Sequence, residues 1–417
     1  ATSARSSRRS SANNSSADRS KDFAMPHYLK LGALPAKHHI QFPREKAASY
    51  QGEGLHYEHV ITTDGFDRAY TMMYHLRPPT RVRSVEFVKH WEPQRAGELP
   101  LRHHHLKTAA LPRAGDPFTG RVPFLFNKEM IAWRCRPARA DGDFDFFRNG
   151  GADEIIFVWR GGGWLESNFG RLRYRAEDYI VIPRGTIYRL VPDEVAQEDY
   201  LILESSFPVR IPARYLNAEG QIRMGAPYSE RDFHGPSELA PVDRDGDHTV
   251  LVKDGARLTR MVLAHHPCDV VGWDGFIYPF TFNANDFEPL TGTVHLPPPV
   301  HQTFEIRGYV VCTFAPRWLD HHPQAVRVPW AHDNTEADEV LFYVRGQFGS
   351  RKGVEPGSFT LHPRGIPHGP HPGTTLPSLT AQRTEELAVM FDTQNSLELT
   401  ADALACDDPK YPLSWLG

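Results

Sequence analysis

The 417-residue chain balances 47 Lys and Arg against 51 Asp and Glu for a formal charge of −4, which leaves no basic footprint for nucleic acid. It holds no run of about eighteen apolar residues, so no membrane-spanning helix is expected, and its length suits two or three domains with a substantial core. Cys135, Cys268, Cys312 and Cys406 stand far apart without a CxxC pair, which excludes a zinc knuckle and favours a reduced, cytoplasmic setting.

In chain order, residues 1–24 open on ATSARSSRRSSANNSSA, with three Arg, seven Ser and no acid. Such a segment cannot build a core and is expected to be disordered; Arg- and Ser-rich, acid-poor composition also fits an organelle transit peptide. Residues 25–122 read as an N-terminal β-rich wrap, with short apolar patches such as AYTMMYHL and SVEFVKHW. Within it, His103, His104 and His105 are not expected to share an ion, because neighbours on a strand face opposite ways. Over residues 123–211, EIIFVWR, GGWLES, GRLRYR, DYIVIP, IYRLVP and YLILESS follow one another between turn signals, the spacing of a sandwich or barrel. Residues 212–248 read as a connection. A second set of strands follows in residues 249–417: TVLVKD, RLTRMVLAHH, YVVCTFAP, EVLFYVRGQF, SFTLHP and ELAVMFDT. The last segment, SLELTADALACDDPKYPLSWL, reads as a short helix and a packing segment.

The two strand sets repeat one pattern. ADEIIFVWRG is matched by ADEVLFYVRG, so that six residues separate Glu154 from Gly161 and Glu339 from Gly346. A Pro-Arg-Gly turn follows in each half, with Tyr188 three residues beyond Gly185 and His368 three residues beyond Gly365. Repetition of this kind means two copies of one structural unit. The spacing resembles the paired motifs of the cupin superfamily. His332, Asn334, Glu339 and Gly346 fit the first motif, and Gly357, Pro363, Gly365 and His368 fit the second. The resemblance implies an all-β chain of two jelly-roll barrels, with an N-terminal wrap and a short C-terminal helix.

Alternate strand residues share a face, so Glu339 is expected to point inward with Leu341 and Tyr343. His332, in the loop before the strand, and His368, after the turn, then converge on it. Two imidazoles and one carboxylate on one face form the triad of non-haem Fe(II) oxygenases, and Asn334 in place of a third His agrees with that. In the first half Phe147 and Tyr188 stand where the ligands would be, so that barrel is expected to hold no metal.

DFEPLTGTVHLPPPVHQTFE, FAPRW, HDNTEADEVLFYVRG, SFTLHPRGIPHGP and LAVMFDT, with MPHYLKLGALPAKHHIQFPRE nearer the start, resemble the homogentisate 1,2-dioxygenase family, in its shorter, divergent branch. The resemblance implies His332, Glu339 and His368 as ligands of Fe(2+). It implies a His acting as acid or base on the substrate hydroxyl, a role that His295 and His301 both fit, and a further active-site His at His362. His371, just past the motif, is a candidate substrate contact, and Arg364 and Arg345 are candidates to read a substrate carboxylate. The implied reaction is ring cleavage of homogentisate by O2 to 4-maleylacetoacetate, a step of tyrosine and phenylalanine catabolism. The implied partners are a small aromatic acid, O2 and further copies of the chain, as a trimer or hexamer. Cleavage of gentisate or another hydroxylated aromatic acid, and a ligand-binding bicupin without catalysis, are the alternatives.

Overall fold

A computed structural model describes residues 27–44, 54–142 and 144–416; the Ser- and Arg-rich segment 1–24 lies outside them. Among the described residues no helix is long and apolar enough to cross a membrane, and all four cysteines are free thiols.

Strand patterning sorts the elements. Gly170–Arg175 alternates, burying Leu172 and Tyr174 while Arg171, Arg173 and Arg175 stay at or near the surface, as a strand with one wet face does. Asp153–Arg160 is apolar on both faces, because both are covered. Ile156 and Val158 meet Leu165, Leu172, Tyr188 and Leu190 inside the first barrel. Ile155, Phe157 and Trp159 point the other way, into a core shared with the second barrel.

The first barrel is a seven-stranded sheet facing an eight-stranded one, and the second is built on a six-stranded sheet. The eight- and six-stranded sheets lie back to back. Val340, Phe342 and Val344 of Asp338–Arg345 enter the shared core with Phe359, Val389 and Phe391. Trp159 meets the Phe342 ring edge-on at 5.7 Å between centroids, a favoured aromatic geometry, and donates its indole N–H to the Val344 carbonyl at 3.0 Å. The opposite face of the same strand carries Glu339, Leu341 and Tyr343 into the second barrel's cavity. The packing that joins the barrels therefore fixes which way Glu339 points.

The expected boundary at residue 249 is corrected by the pairing. Asp245–Asp254 and Arg257–His265 extend the seven-stranded sheet of the first barrel, and Phe280–Asn283 joins its eight-stranded sheet. Apolar alternation marks a strand without naming its partner, and these partners are distant in sequence, as in Val250 with Phe146, Phe280 with Val181 and Arg257 with His90. Val270–Gly275 joins Leu29–Gly32, Tyr57–Thr62 and Tyr70–His75 in a separate four-stranded sheet. The N-terminal region is more than a wrap: Val82–His90 edges the first barrel, and His104–Leu106 adds a strand to the second. Glu398–Leu399 crosses back to pair with Arg121–Phe126, and a short helix, Ala401–Ala405, and a 3-10 turn, Tyr411–Leu416, complete the chain.

Gly357 shows how tightly the barrels meet. Its φ is +83°, and a Cβ there would stand 2.2 Å from the Trp159 ring. Gly357→Ala is expected to destabilise the chain by about 2–4 kcal/mol through backbone strain and displacement of Trp159, measured by denaturant unfolding.

Candidate metal centre

Three elements deliver three donors. Glu339 is the second residue of Asp338–Arg345 and is only 6% exposed. His332 and His368 face each other across an isolated backbone bridge, with mutual N–H to carbonyl bonds of 2.8 and 2.9 Å. The bridge brings the imidazoles to one side of the carboxylate. His368 Nε2 lies 3.3 Å from Glu339 Oε1, and His332 Nε2 lies 3.6 Å from Oε2. All three ligand atoms fall within 4.8 Å of one another. Ligands at 2.0–2.2 Å in cis positions around one ion stand about 3.0 Å apart, so the spacing fits a shared metal with slight contraction.

The chemistry of the donors fits too. His332 Nδ1 sits 3.1 Å from the Trp330 carbonyl and His368 Nδ1 3.4 Å from that of Ile366. A carbonyl only accepts, so each Nδ1 carries the proton and each Nε2 offers a lone pair. His368 Nε2 is buried without a hydrogen-bond partner. Lone pairs aimed at an anion need a cation between them. Burial pushes the Glu339 carboxyl up, yet N–H donation from His332, His362 and His368 holds it well below the usual carboxylate range; with Nε2 of His332 and His368 unprotonated, a metal ion would take over that stabilisation.

The other expected site residues divide between cavity and support. His295 and His301 line a cavity of about 280 Å³ with His332 and Glu339. His295 packs edge-on against Trp330 at 4.8 Å. His301 is buried on the Phe314 ring at 4.5 Å, with Nδ1 unpartnered, and burial pushes its imidazole down to about 3. His362 and His371 were expected to face the substrate and do not line this cavity. His362 is fully buried opposite Glu339 on the next strand, 2.8 Å from its Oε1 and 3.1 Å from the Tyr411 hydroxyl. Burial lowers its imidazole to about 3, so it is neutral and orients the Glu339 carboxylate through Nδ1–H. His371 Nδ1 accepts from the Lys352 backbone N–H at 2.9 Å, and its Nε2 meets Ser414 Oγ at 3.2 Å. It pins the loop after the strand rather than reaching the cavity.

The three consecutive histidines go to three partners: His104 to Asp407 at 2.9 Å, His105 to Ser358 Oγ at 3.0 Å, and His103 against the rings of His362 and His368 at 5.3 and 6.1 Å. His103 is thus a neighbour of the site that the sequence pattern did not reveal; only its place in an odd His run marked it. Arg345 pairs with Glu177, and Arg364 binds Ser396 and the Gln394 carbonyl, both away from the cavity. Arg317 and Arg351 line it instead.

The first barrel answers its own buried carboxylate differently. Glu154, fully buried, receives Arg121 Nη1 at 2.5 Å and the Tyr188 hydroxyl. Arg121 Nη2 also reaches the Tyr188 oxygen at 3.2 Å, and the guanidinium lies over the Phe147 and Phe118 rings. The position equivalent to the metal site is filled by a covalently tethered cation.

A double-barrelled cupin with a two-His, one-carboxylate centre in one barrel is the class that this fold and site define. Family models described as homogentisate 1,2-dioxygenase N-terminal and homogentisate 1,2-dioxygenase C-terminal match residues 129–284 and 281–417. A protein of Saccharolobus solfataricus named "Putative dioxygenase" is 37% identical over 94% of this chain and 99% of its own length. A homogentisate 1,2-dioxygenase of Legionella pneumophila is 27% identical over 70% of this chain and 68% of its own. A cupin barrel protein of Leptotrichia buccalis overlays 70% of this chain and 96% of its own at 8% identity and a TM-score of 0.31. The chain belongs to the homogentisate 1,2-dioxygenase family.

Two outcomes are expected from metal analysis of purified variants. Glu339→Gln is expected to lose bound metal, whereas Tyr188→Phe is expected to keep the wild-type metal content; metal lost from the second variant would place a ligand in the first barrel. Arg121→Met, which strands the Glu154 charge, is expected to cost about 3–5 kcal/mol of stability, read from denaturant midpoints.

Proposed function

We propose that the chain is an Fe(II)-dependent dioxygenase that opens the ring of homogentisate, or of a close dihydroxylated aromatic acid, with both atoms of O2 entering the product. For homogentisate that product is 4-maleylacetoacetate. The observation carrying this reading is the convergence of His332, Glu339 and His368 beside a cavity of about 280 Å³ whose wall includes His332 and Glu339, large enough for one substituted ring. Family membership supports it.

His332, Glu339 and His368 would hold the ferrous ion, which would supply the redox and Lewis-acid chemistry that O2 and a phenolic substrate need. The protein does the rest. His362 keeps the Glu339 carboxylate oriented and charged. Leu341, Phe314, Trp330, Phe348 and Met390 give the cavity an apolar wall that admits an aromatic ring and excludes water. A base must take the phenolic proton, and a base works best with its pKa near the working pH. His301, pushed down to about 3, is too weak. His295 is partly exposed on the same wall; burial lowers its imidazole as well, but the Asp320 carboxylate 4.0 Å from its Nδ1 opposes that and steadies the imidazolium, so it is the base in this reading.

The direct test is oxygen uptake by the Fe(II)-loaded protein with homogentisate, followed by the ring-opened chromophore. Uptake equimolar with substrate is expected. Uptake only with gentisate would move the substrate, and bound iron without uptake on any hydroxylated aromatic acid would leave a ligand-binding bicupin. His295→Gln is expected to lower kcat about 10²- to 10⁴-fold with iron retained, and His301→Gln far less; equal effects would remove the assignment.

A further inference from the structure

The cavity next to Glu339 has two cations in its wall, and they differ in one respect. Arg317 is already neutralised: its Nη2 lies 2.9 Å from Glu386 Oε1, and its Nη1 donates to the Ala315 carbonyl at 3.0 Å. Arg351 is not. Its Nη1 donates to the Gly369 carbonyl at 2.5 Å, its Nε is buried without a partner, and among the described residues no carboxylate pairs with it. Its phenol neighbours Tyr343 and Tyr411 are uncharged, and the one carboxylate among the groups acting on it is Glu339, which a metal would claim. A charge taken out of water without a counter-ion is costly, and a guanidinium offers paired N–H donors whose fork matches a carboxylate.

The loop that carries Arg351 is held in place. The Ser350 carbonyl accepts from the His371 N–H at 2.9 Å, and the Lys352 N–H donates to His371 Nδ1 at 2.9 Å. The guanidinium also lies 6.0 Å from the Trp415 ring centroid. Arg351 is therefore tied on both sides to the segment just beyond His368, at a fixed place relative to the metal ligands. Such preorganisation is what a specificity contact requires.

We propose that Arg351 receives the carboxylate of the substrate, so that this cavity selects aromatic acids over their uncharged analogues. The assignment rests on the aromatic substrate class proposed above. It makes His371 a positioning residue that acts through the Arg351 loop.

The test is anaerobic calorimetric titration of the Fe(II)-loaded full chain with 2,5-dihydroxyphenylacetate and with its primary amide. The wild type is expected to bind the acid at least about 30-fold more tightly than the amide. Arg351→Gln is expected to remove that preference by weakening the acid alone, with iron content unchanged, and Arg351→Lys to restore part of it. Equal wild-type binding of acid and amide, or an acid preference that survives in Arg351→Gln, would overturn the proposal. Should Arg351→Gln not fold, the wild-type ratio and Arg351→Lys decide. An acid preference lost in the variant, in a protein that takes up no oxygen, would uphold Arg351 while removing the dioxygenase reading. Oxygen uptake without any acid preference would remove Arg351 alone.

Discussion

A strand sealed on one face into a shared aromatic core has no freedom to turn its other face, and Glu339 is on that other face. Val340, Phe342 and Val344 are committed to the contact between the barrels, so the carboxylate is driven into the second barrel whether or not anything is there to meet it. A buried carboxylate needs a cation or several donors. The same strand in the first barrel presents Glu154 to the same problem, solved there by Arg121 and Tyr188. One unit thus occurs twice, with a tethered guanidinium closing one site and two imidazole lone pairs leaving the other ready for a metal ion.

That pairing explains why the site was legible in the sequence and much around it was not. His332, Glu339 and His368 lie within one local motif whose spacing is set by strand periodicity and a turn, so reading the period suffices to bring them together. The Glu339 face, with Leu341 and Tyr343, follows from the same alternation. His362 and His371 have motif positions as regular as those of the ligands, yet both are buried behind the wall, because their partners come from the C-terminal turn: Tyr411 for one and Ser414 for the other. A contact across that sequence distance leaves no periodic trace. Arg121 was invisible for a related reason. It enters the first barrel from the strand beside the repeat, not from the repeat itself.

The sheet order carries the same lesson at a larger scale. Asp245–Asp254 and Arg257–His265 look like the opening strands of a second barrel and belong to the first. His104–Leu106 looks like part of an outer wrap and is an edge strand of the sheet that carries Glu339. Through it His103 reaches the rings beside the ligands. Segments on both sides of the motif therefore brace the centre from outside it, which ties the geometry of the centre to the integrity of the whole fold rather than of one barrel.

A single ion would be held by the second barrel alone. X-ray absorption at the iron edge on anaerobic Fe(II)-reconstituted protein tests it most directly. One iron per chain is expected, with a shell of nitrogen and oxygen at about 2.0–2.2 Å, imidazole scattering from two rings, and no sulfur. Sulfur in the shell, a single imidazole, or iron bound without a resolved protein ligand would contradict it.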